Sequence, residues 1–381
     1  MNPETTRNVK NTTFPSYLYM AIELSNAQWK LGFTVGFGQA PRLRSLVARD
    51  LGALVDEIRL AKERFGLPEN APVFSCYEAG RDGFWLHRYL QASAITNWVV
   101  DSSSIEVNRR SRRVKTDRMD VGKLLIMLIR YHQGEEKVWG IVNIPSPEVE
   151  DQRQLHRDLR MLKAERTQHI NRIKGLLASQ GVQLAVGKNF LSQLEALHLW
   201  DGSPLLPGLS SRLVREYERI QLINQYIHQL DRMRVEAVRS SSDPAMEQVR
   251  ALLRLKGIGM NSAWLYVMEF FSWRNFRNRR ELGALAGLTP TPYQSGDSTH
   301  EQGISKAGNR HIRAVAIEIA WEWLHFQPDS QLSHWYQERF AKGSSRVRRI
   351  GIVALARRLL IALWEYLETG NLPEGACVMN S

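Results

Sequence analysis

Two kinds of hydrophobic pattern run along the chain, and the change comes near residue 148. Before it, short apolar runs dominate. YLYMAIELS (17–25) and WKLGFTVGF (29–37) are parted by a few polar residues and predict the two strands of a hairpin. RLRSLV (42–47) predicts a third strand. DLGALVDEIRLAKERFG (50–66) carries apolar residues at 51, 54, 55, 58 and 61, a helical period with Asp50 as N-cap and Gly66 as stop. APVFSCYEAG (71–80) predicts a strand ending in a turn, GFWLHRYLQA (83–92) a helix and ITNWVVD (95–101) a strand. A further helix is expected from near Thr116 to about His132. This order predicts a mixed α/β sheet domain over 17–147, after a polar tail of residues 1–16.

Beyond it the pattern becomes helical. Leu155, Leu159, Leu162, Arg166, His169, Ile173 and Leu176 keep three-four spacing in a charged background. Leu213, Ile220, Ile223, Ile227 and Leu230 do the same within 212–233. Two long helices with narrow seams follow, a helical hairpin or coiled-coil arm over 148–240 with DGSPLLPGLSS (201–211) as a loop. Such narrow seams predict self-association, hence a homo-oligomer, either dimer or tetramer. After SSSDP (240–244) an all-α C-terminal domain is expected over 241–381, with 287–313 mostly a polar loop. Its last helix shows a seam of Ile352, Ala356, Leu359, Leu363 and Leu367.

Composition sharpens the picture in one respect. The 381 residues suffice for two or three domains, and 51 Lys+Arg against 39 Asp+Glu give +12. The sequence pI is about 9.8. That balance predicts a polyanionic partner, nucleic acid ahead of an anionic membrane surface. The N-terminal segment lacks the apolar core of a secretory signal, and no apolar run approaches membrane-spanning length. The two cysteines, Cys76 and Cys377, form no CxxC, and no HExxH occurs. A cytoplasmic protein with no membrane partner is expected.

Residues 109–120, RRSRRVKTDRMD, hold six arginines and lysines together with two aspartates three apart, Asp117 and Asp120. Arg109, Arg110, Arg112, Arg113 and Lys115 are candidate phosphate contacts. Asp117 and Asp120 share one face at the start of the expected helix. Glu23 ends the first predicted strand and Glu78 closes the 71–77 strand. If those strands are neighbours, four carboxylates converge and suit a pair of Mg²⁺ ions about 4 Å apart, which polarise a phosphodiester and activate the attacking oxygen. Taken singly, each acid has a plainer reading, as a first-turn partner of the helix dipole or a solvated strand end.

Farther along, LLRLKGIGMNSAWLYVMEF (252–270) predicts helix, Gly-Ile-Gly turn and helix, where Gly257 and Gly259 let a DNA backbone approach amide N–H groups. The following 287–313 segment carries Ser295, with Lys306, Arg310 and Arg313, candidate nucleic-acid contacts, at the start of a strong helix. On chemistry alone Ser295 is one of several loop serines, among them Ser298 and Ser305, and a turn role is the default.

AIELS, CYEAG and KTDRMD resemble the acidic motifs of RuvC-like, DEDD-type insertion-sequence transposases, the IS-one-ten family that includes the pilin-gene invertase. GLTPTPYQSG…GISKAGNRHIR resembles the second conserved domain of the same family. Glu23 departs from the pattern, standing where that family has Asp. The resemblance implies a RuvC/RNase H-like catalytic domain, a metal site of Glu23, Glu78, Asp117 and Asp120, and Ser295 as nucleophile. It implies a DNA recombinase acting on donor and target DNA, guided by a non-coding RNA from the element. Two rivals stand beside it. A Holliday-junction resolvase or related nuclease needs the acids but no Ser295. A non-catalytic nucleic-acid-binding protein needs the charge and the glycine turn but tolerates loss of the acids.

Overall fold

The computed structural model describes residues 17–105, 117–295 and 298–379, with the backbone alone described at 103, 117–120, 292–295 and 298–302. The chain forms two units, Met1–Ile144 and Pro145–Ser381.

In the first unit, β1 (Leu18–Glu23), β2 (Gln28–Thr34) and β3 (Arg42–Val47) form an antiparallel meander. Helix α1 (Leu51–Arg64) leads to β4 (Val73–Glu78), and α2 (Trp85–Ala92) leads to β5 (Thr96–Val100). β4 lies parallel to β1, and β5 parallel to β4, so the sheet order is β3-β2-β1-β4-β5. The sequence explains the centre. LYMAIE is apolar at nearly every position because both of its faces are covered, as expected of a strand inside the sheet. Leu18, Met20 and Ile22 pack with Trp29, Leu31, Phe33, α1 and α2. Tyr19 and Ala21 pack with Cys76, Val100 and α3 (Asp117–His132) on the other face. Burial pushes the Cys76 thiol above its usual range, which makes it a core group. Asp50 caps α1 by accepting from the Ala53 amide at 2.9 Å, and Gly66 takes the left-handed conformation (φ 65°) just beyond it, as its pattern predicts.

The second unit is largely helical. After α4 (Pro147–Gln152), α5 (Gln154–Ala178) and α7 (Pro207–Ser240) pair, with α6 (Phe190–Glu195) between them in the chain. Leu159 meets Ile223 and Ile227, while Ile173 and Leu177 meet Leu213, Tyr217 and Ile220, so the two helices run antiparallel. Their narrow seam is thereby filled within one chain. Self-association does not follow from it, which corrects the reason given by the sequence pattern.

The rest comprises α8 (Pro244–Leu253), α9 (Met260–Tyr266), α10 (Arg279–Leu285), α11 (Arg310–Phe326), α12 (Gln331–Tyr336) and α13 (Ser345–Thr369). Ile312, Ile319 and Trp323 of α11 and Leu355, Leu359 and Leu363 of α13 share its core. One departure from all-helical structure occurs where a polar loop was expected: β6 (Pro290–Ser295) and β7 (Ser298–Ile304) form an antiparallel hairpin. Pro290 and Pro292 hide the strand from its pattern. Proline is tolerated at sheet edges and bulges, and this sheet has two strands with a register shift between those prolines. Among the described residues, no helix is long and apolar enough to cross a membrane.

Candidate active site

The registers place two of the predicted acids side by side. Ile22 pairs with Tyr77 across the parallel β1–β4 ladder, so Glu23 and Glu78 are the next neighbours, on strands about 4.8 Å apart. Alternation puts both on the α3 face, since Tyr19, Ala21 and Cys76 point there. Glu23 is half-buried and Glu78 exposed. The parallel strands end here, and ligands of open α/β sheets bind beyond such carboxyl ends.

The direction of α3 follows from its neighbours. His132, its last residue, has Nδ1 2.8 Å from the hydroxyl of Tyr19 at the start of β1. The Leu124 carbonyl accepts from Cys76 Sγ in mid-β4. Val121 packs on Gly32, where an added Cβ would overlap Val121 Cγ1 and stand 2.9 Å from Leu125 Cδ1. Helix α3 therefore runs antiparallel to β1 and β4 and begins near their carboxyl ends. Asp117 and Asp120 occupy its first turn, with backbone positions alone described. Arg109, Arg110, Arg112, Arg113 and Lys115 lie outside the described residues. Among the described side chains, no three His, Cys, Asp or Glu groups gather as a metal site. The oxygen-only chemistry of Glu23 and Glu78, together with two aspartate positions near the same strand ends, fits a hard cation such as Mg²⁺.

In the second unit, Ser295 is the last residue of β6, paired with Ser298 near the tip of the hairpin. The base of that hairpin is fixed by two glycines. Gly287 (φ 66°) and Gly308 (φ 87°) are left-handed, and a Cβ on either would overlap a carbonyl, Ala307 O or Leu285 O respectively. Lys306 is also left-handed (φ 54°). Its carbonyl accepts from Arg313 Nη1 at 3.1 Å, and that nitrogen also reaches Ala286 O, so Arg313 braces the crossing. Arg310 opens α11 directly after Asn309, whose side chain caps the helix by accepting from the His311 and Ile312 amides. Gly257 is left-handed (φ 88°), and its open side faces α11, where an added Cβ would stand 3.3 Å from Glu322 O and from Phe326 Cβ. The freedom of Gly257 thus serves packing inside the unit, while Gly259 is exposed at the N-cap of α9.

A third cluster surrounds Glu269, in the π-helical stretch Val267–Phe271 that continues α9. Its carboxylate accepts from Arg153 Nε (3.0 Å), Arg157 Nε (2.8 Å) and His156 Nε2 (3.0 Å). Burial alone would raise its pKa. The hydrogen bonds from His156 and Arg157 and the charge and bonds of Arg153 outweigh burial and hold it well below the carboxylate range. Burial and the neighbouring Arg153 charge bring Arg274 down to about 10. In the arm, buried Glu216 is held likewise: burial opposes ionisation, and His169 and Arg172 reverse it.

Comparison with known proteins decides the family. A family profile described as "Transposase IS116/IS110/IS902 family" matches residues 249–337. A "Putative transposase y4rJ" of Sinorhizobium fredii is 40% identical over 377 residues, covering 94% of each chain. The chain belongs to the IS116/IS110/IS902 transposase family. A "Transposase for insertion sequence element IS1328" of Yersinia enterocolitica is 26% identical over 232 residues, 59% of this chain and 66% of that one.

The span matched by the profile runs from α8 through the glycine turn, Glu269 and the serine hairpin into the residue after α12. Sequence reasoning missed Glu269 in this transposase, although a lone acid inside the apolar run AWLYVMEFF is a legible sign of a buried, paired charge. It also missed Lys30, directly across from Glu23 in the β1–β2 register, and Gly32, which admits α3. Nothing in the local pattern marks those two, because their partners are distant in sequence.

Proposed function

We propose that this transposase excises and inserts its element by metal-dependent strand cleavage and rejoining, with Ser295 as the nucleophile. The observation carrying the first half is that Glu23 and Glu78 each follow the last β1–β4 pair, Ile22–Tyr77, at the strand ends near which α3 begins with Asp117 and Asp120. A three-stranded meander extended by two parallel strands, with acids at the parallel carboxyl ends, supports a RuvC/RNase H-like reading of the first unit. Those four acids would hold two Mg²⁺ ions, which when bound neutralise phosphodiester charge and activate the attacking oxygen. Lys30 faces Glu23 across the ladder and holds positive charge beside the acids.

Ser295 sits near a hairpin tip whose base is locked by the Gly287–Gly308 crossing, a placement that suits a nucleophile delivered to DNA held elsewhere. In the step itself the Ser295 Oγ–P bond forms as one P–O bond to deoxyribose breaks, and the serine proton ends on the departing sugar oxygen. The ester conserves the bond for rejoining. Guidance by an element-encoded RNA and assembly into a homo-oligomer belong to the same reading and rest on the family resemblance.

The test is a labelled DNA substrate carrying the element's end, followed by denaturing electrophoresis. A shifted, protease-sensitive band is expected, lost in Ser295→Ala and kept in Ser298→Ala and Ser305→Ala. Free cut ends with no adduct in the wild type would replace this reading with the resolvase-like one. Sequencing the nucleic acid that co-purifies with the protein tests the guide RNA.

A further inference from the structure

The second unit contains a groove that the serine, the acids and the glycine turn do not use. Its volume is about 1510 Å³, beyond the several-hundred to thousand Å³ typical of small-molecule pockets, which leaves room for a stretch of polymer. Six arginines line it: Arg279 and Arg280 from the start of α10, and Arg346, Arg349, Arg357 and Arg358 from α13. A single acid, Glu365, lines it with them. Helix α13 is two-faced. Ile352, Ala356, Leu359 and Leu363 enter the core, while Arg346, Arg349, Val353 and Arg357 recur at three-four spacing along the groove. From Arg346 to Arg357 that stripe covers roughly 16 Å of helix.

The arginines are held ready. Arg358 stacks 4.1 Å over the Trp335 ring. Arg357 passes α10 at Gly283, where an added Cβ would stand 3.0 Å from its Nε. That Nε is buried and has no hydrogen-bond partner among the described groups. Apolar side chains of Val353, Ala354 and Ile361 line the groove with them, as does Trp335. The groove reaches Pro290, Gly303 and Ile304, the base of the hairpin that carries Ser295.

We infer that this groove binds a single DNA strand. Arginines interleaved with apolar side chains match a strand whose phosphates meet arginine and whose unstacked bases meet Val353, Ala354 and Ile361. A duplex keeps its bases inside the stack and would leave those apolar side chains without a partner. The inference rests on the strand-transfer reading above, because the groove ends at the serine hairpin. Its test needs no cleavage, so the two readings fail separately.

The experiment measures fluorescence anisotropy of a labelled 20-nucleotide single strand with the full chain in EDTA. Arg346→Ala/Arg349→Ala/Arg358→Ala should weaken binding about tenfold or more and flatten the salt slope by about 0.7 for each phosphate no longer neutralised. Arg212→Ala/Arg215→Ala/Arg232→Ala removes the same charge from exposed sites on α7 and should leave affinity within about twofold. Equal losses in both triples would overturn the inference, as would a groove triple that loses duplex or RNA binding but keeps the single strand. As a check independent of variants, a strand carrying 4-thiothymidine should photocrosslink to the wild-type peptide 345–361. Crosslinks confined to other segments would overturn it too.

Discussion

The two units use carboxylates in opposite ways. In the first, Glu78 and Glu23 stand at the end of a sheet, one exposed and one half-buried, where a cation from solution can approach. In the second, Glu269 and Glu216 are buried and ringed by the chain's own donors, Arg153, His156 and Arg157 for one and His169, Arg172 and Arg219 for the other. A strand's end can leave an acid wholly or partly exposed, as it does Glu78 and Glu23. A helical interior does not, so an acid placed there survives only when paired. The caged acids frame the fold, and the acids at the strand ends are the ones the proposed chemistry uses.

Substitutions on each side can break that contrast. Asp117→Asn or Asp120→Asn should lower strand cleavage by roughly 10³-fold or more while DNA affinity stays nearly intact. Cleavage and binding of one labelled substrate in Mg²⁺ measure both, and cleavage persisting in both variants would end the metal-site reading. Glu269→Gln should do the reverse, costing about 3 kcal/mol of stability in the second unit by leaving the largely buried Arg153 and the part-exposed Arg157 beside a neutral group. The pH dependence has a definite sign. Because the folded carboxylate is held below its ordinary 4.5, its contribution is complete above that value and is lost as pH falls toward the folded pKa. Urea melts between pH 3 and 7 should therefore show wild type losing stability on the acid side and Glu269→Gln losing less.

A smaller effect is expected from Gly32→Val, which pushes α3 off β2 at a cost of about 1–3 kcal/mol. The same displacement moves the start of α3 away from Glu23 and Glu78, so cleavage should fall further than stability does. An active Gly32→Val variant of normal stability would show that the position of α3 does not matter to the acids. The smallest effect concerns Arg109, Arg110, Arg112, Arg113 and Lys115. Their joint replacement by alanine should flatten the slope of log affinity against log salt by about 0.9 for each duplex phosphate they neutralise. An unchanged slope would mean that the run serves the fold.

The elements of the first unit were open to the sequence because each announces itself locally: β1 by an unbroken apolar run, α1 by its three-four period and Asp50 cap, α3 by where it ends. The four acids of the proposed site were picked from the same strand ends and helix start. Other features were closed to it. The seam of α5 and α7 reads the same whether it pairs within a chain or between chains, and only the loop-back of α7 onto α5 decides. The β6–β7 hairpin was masked by Pro290 and Pro292, which oppose strand structure in general and are tolerated in this two-stranded sheet. Gly257 looked like a phosphate turn because its conformational freedom is visible in sequence, while the α11 backbone that uses that freedom is not.

By itself, then, the amino-acid order determined the alternation of strands and helices, the basic balance and the residue types able to hold a divalent cation, since all of these depend on neighbours a few positions away. Tertiary structure alone decided that β1 and β4 lie in parallel contact, which brings Glu23 beside Glu78 across 55 positions of chain. It alone decided that Glu269 is caged rather than free, and that arginines from α10 and α13 line one groove. Charges act through space and burial, and the distances between such residues are set by how helices and strands pack rather than by their spacing along the chain.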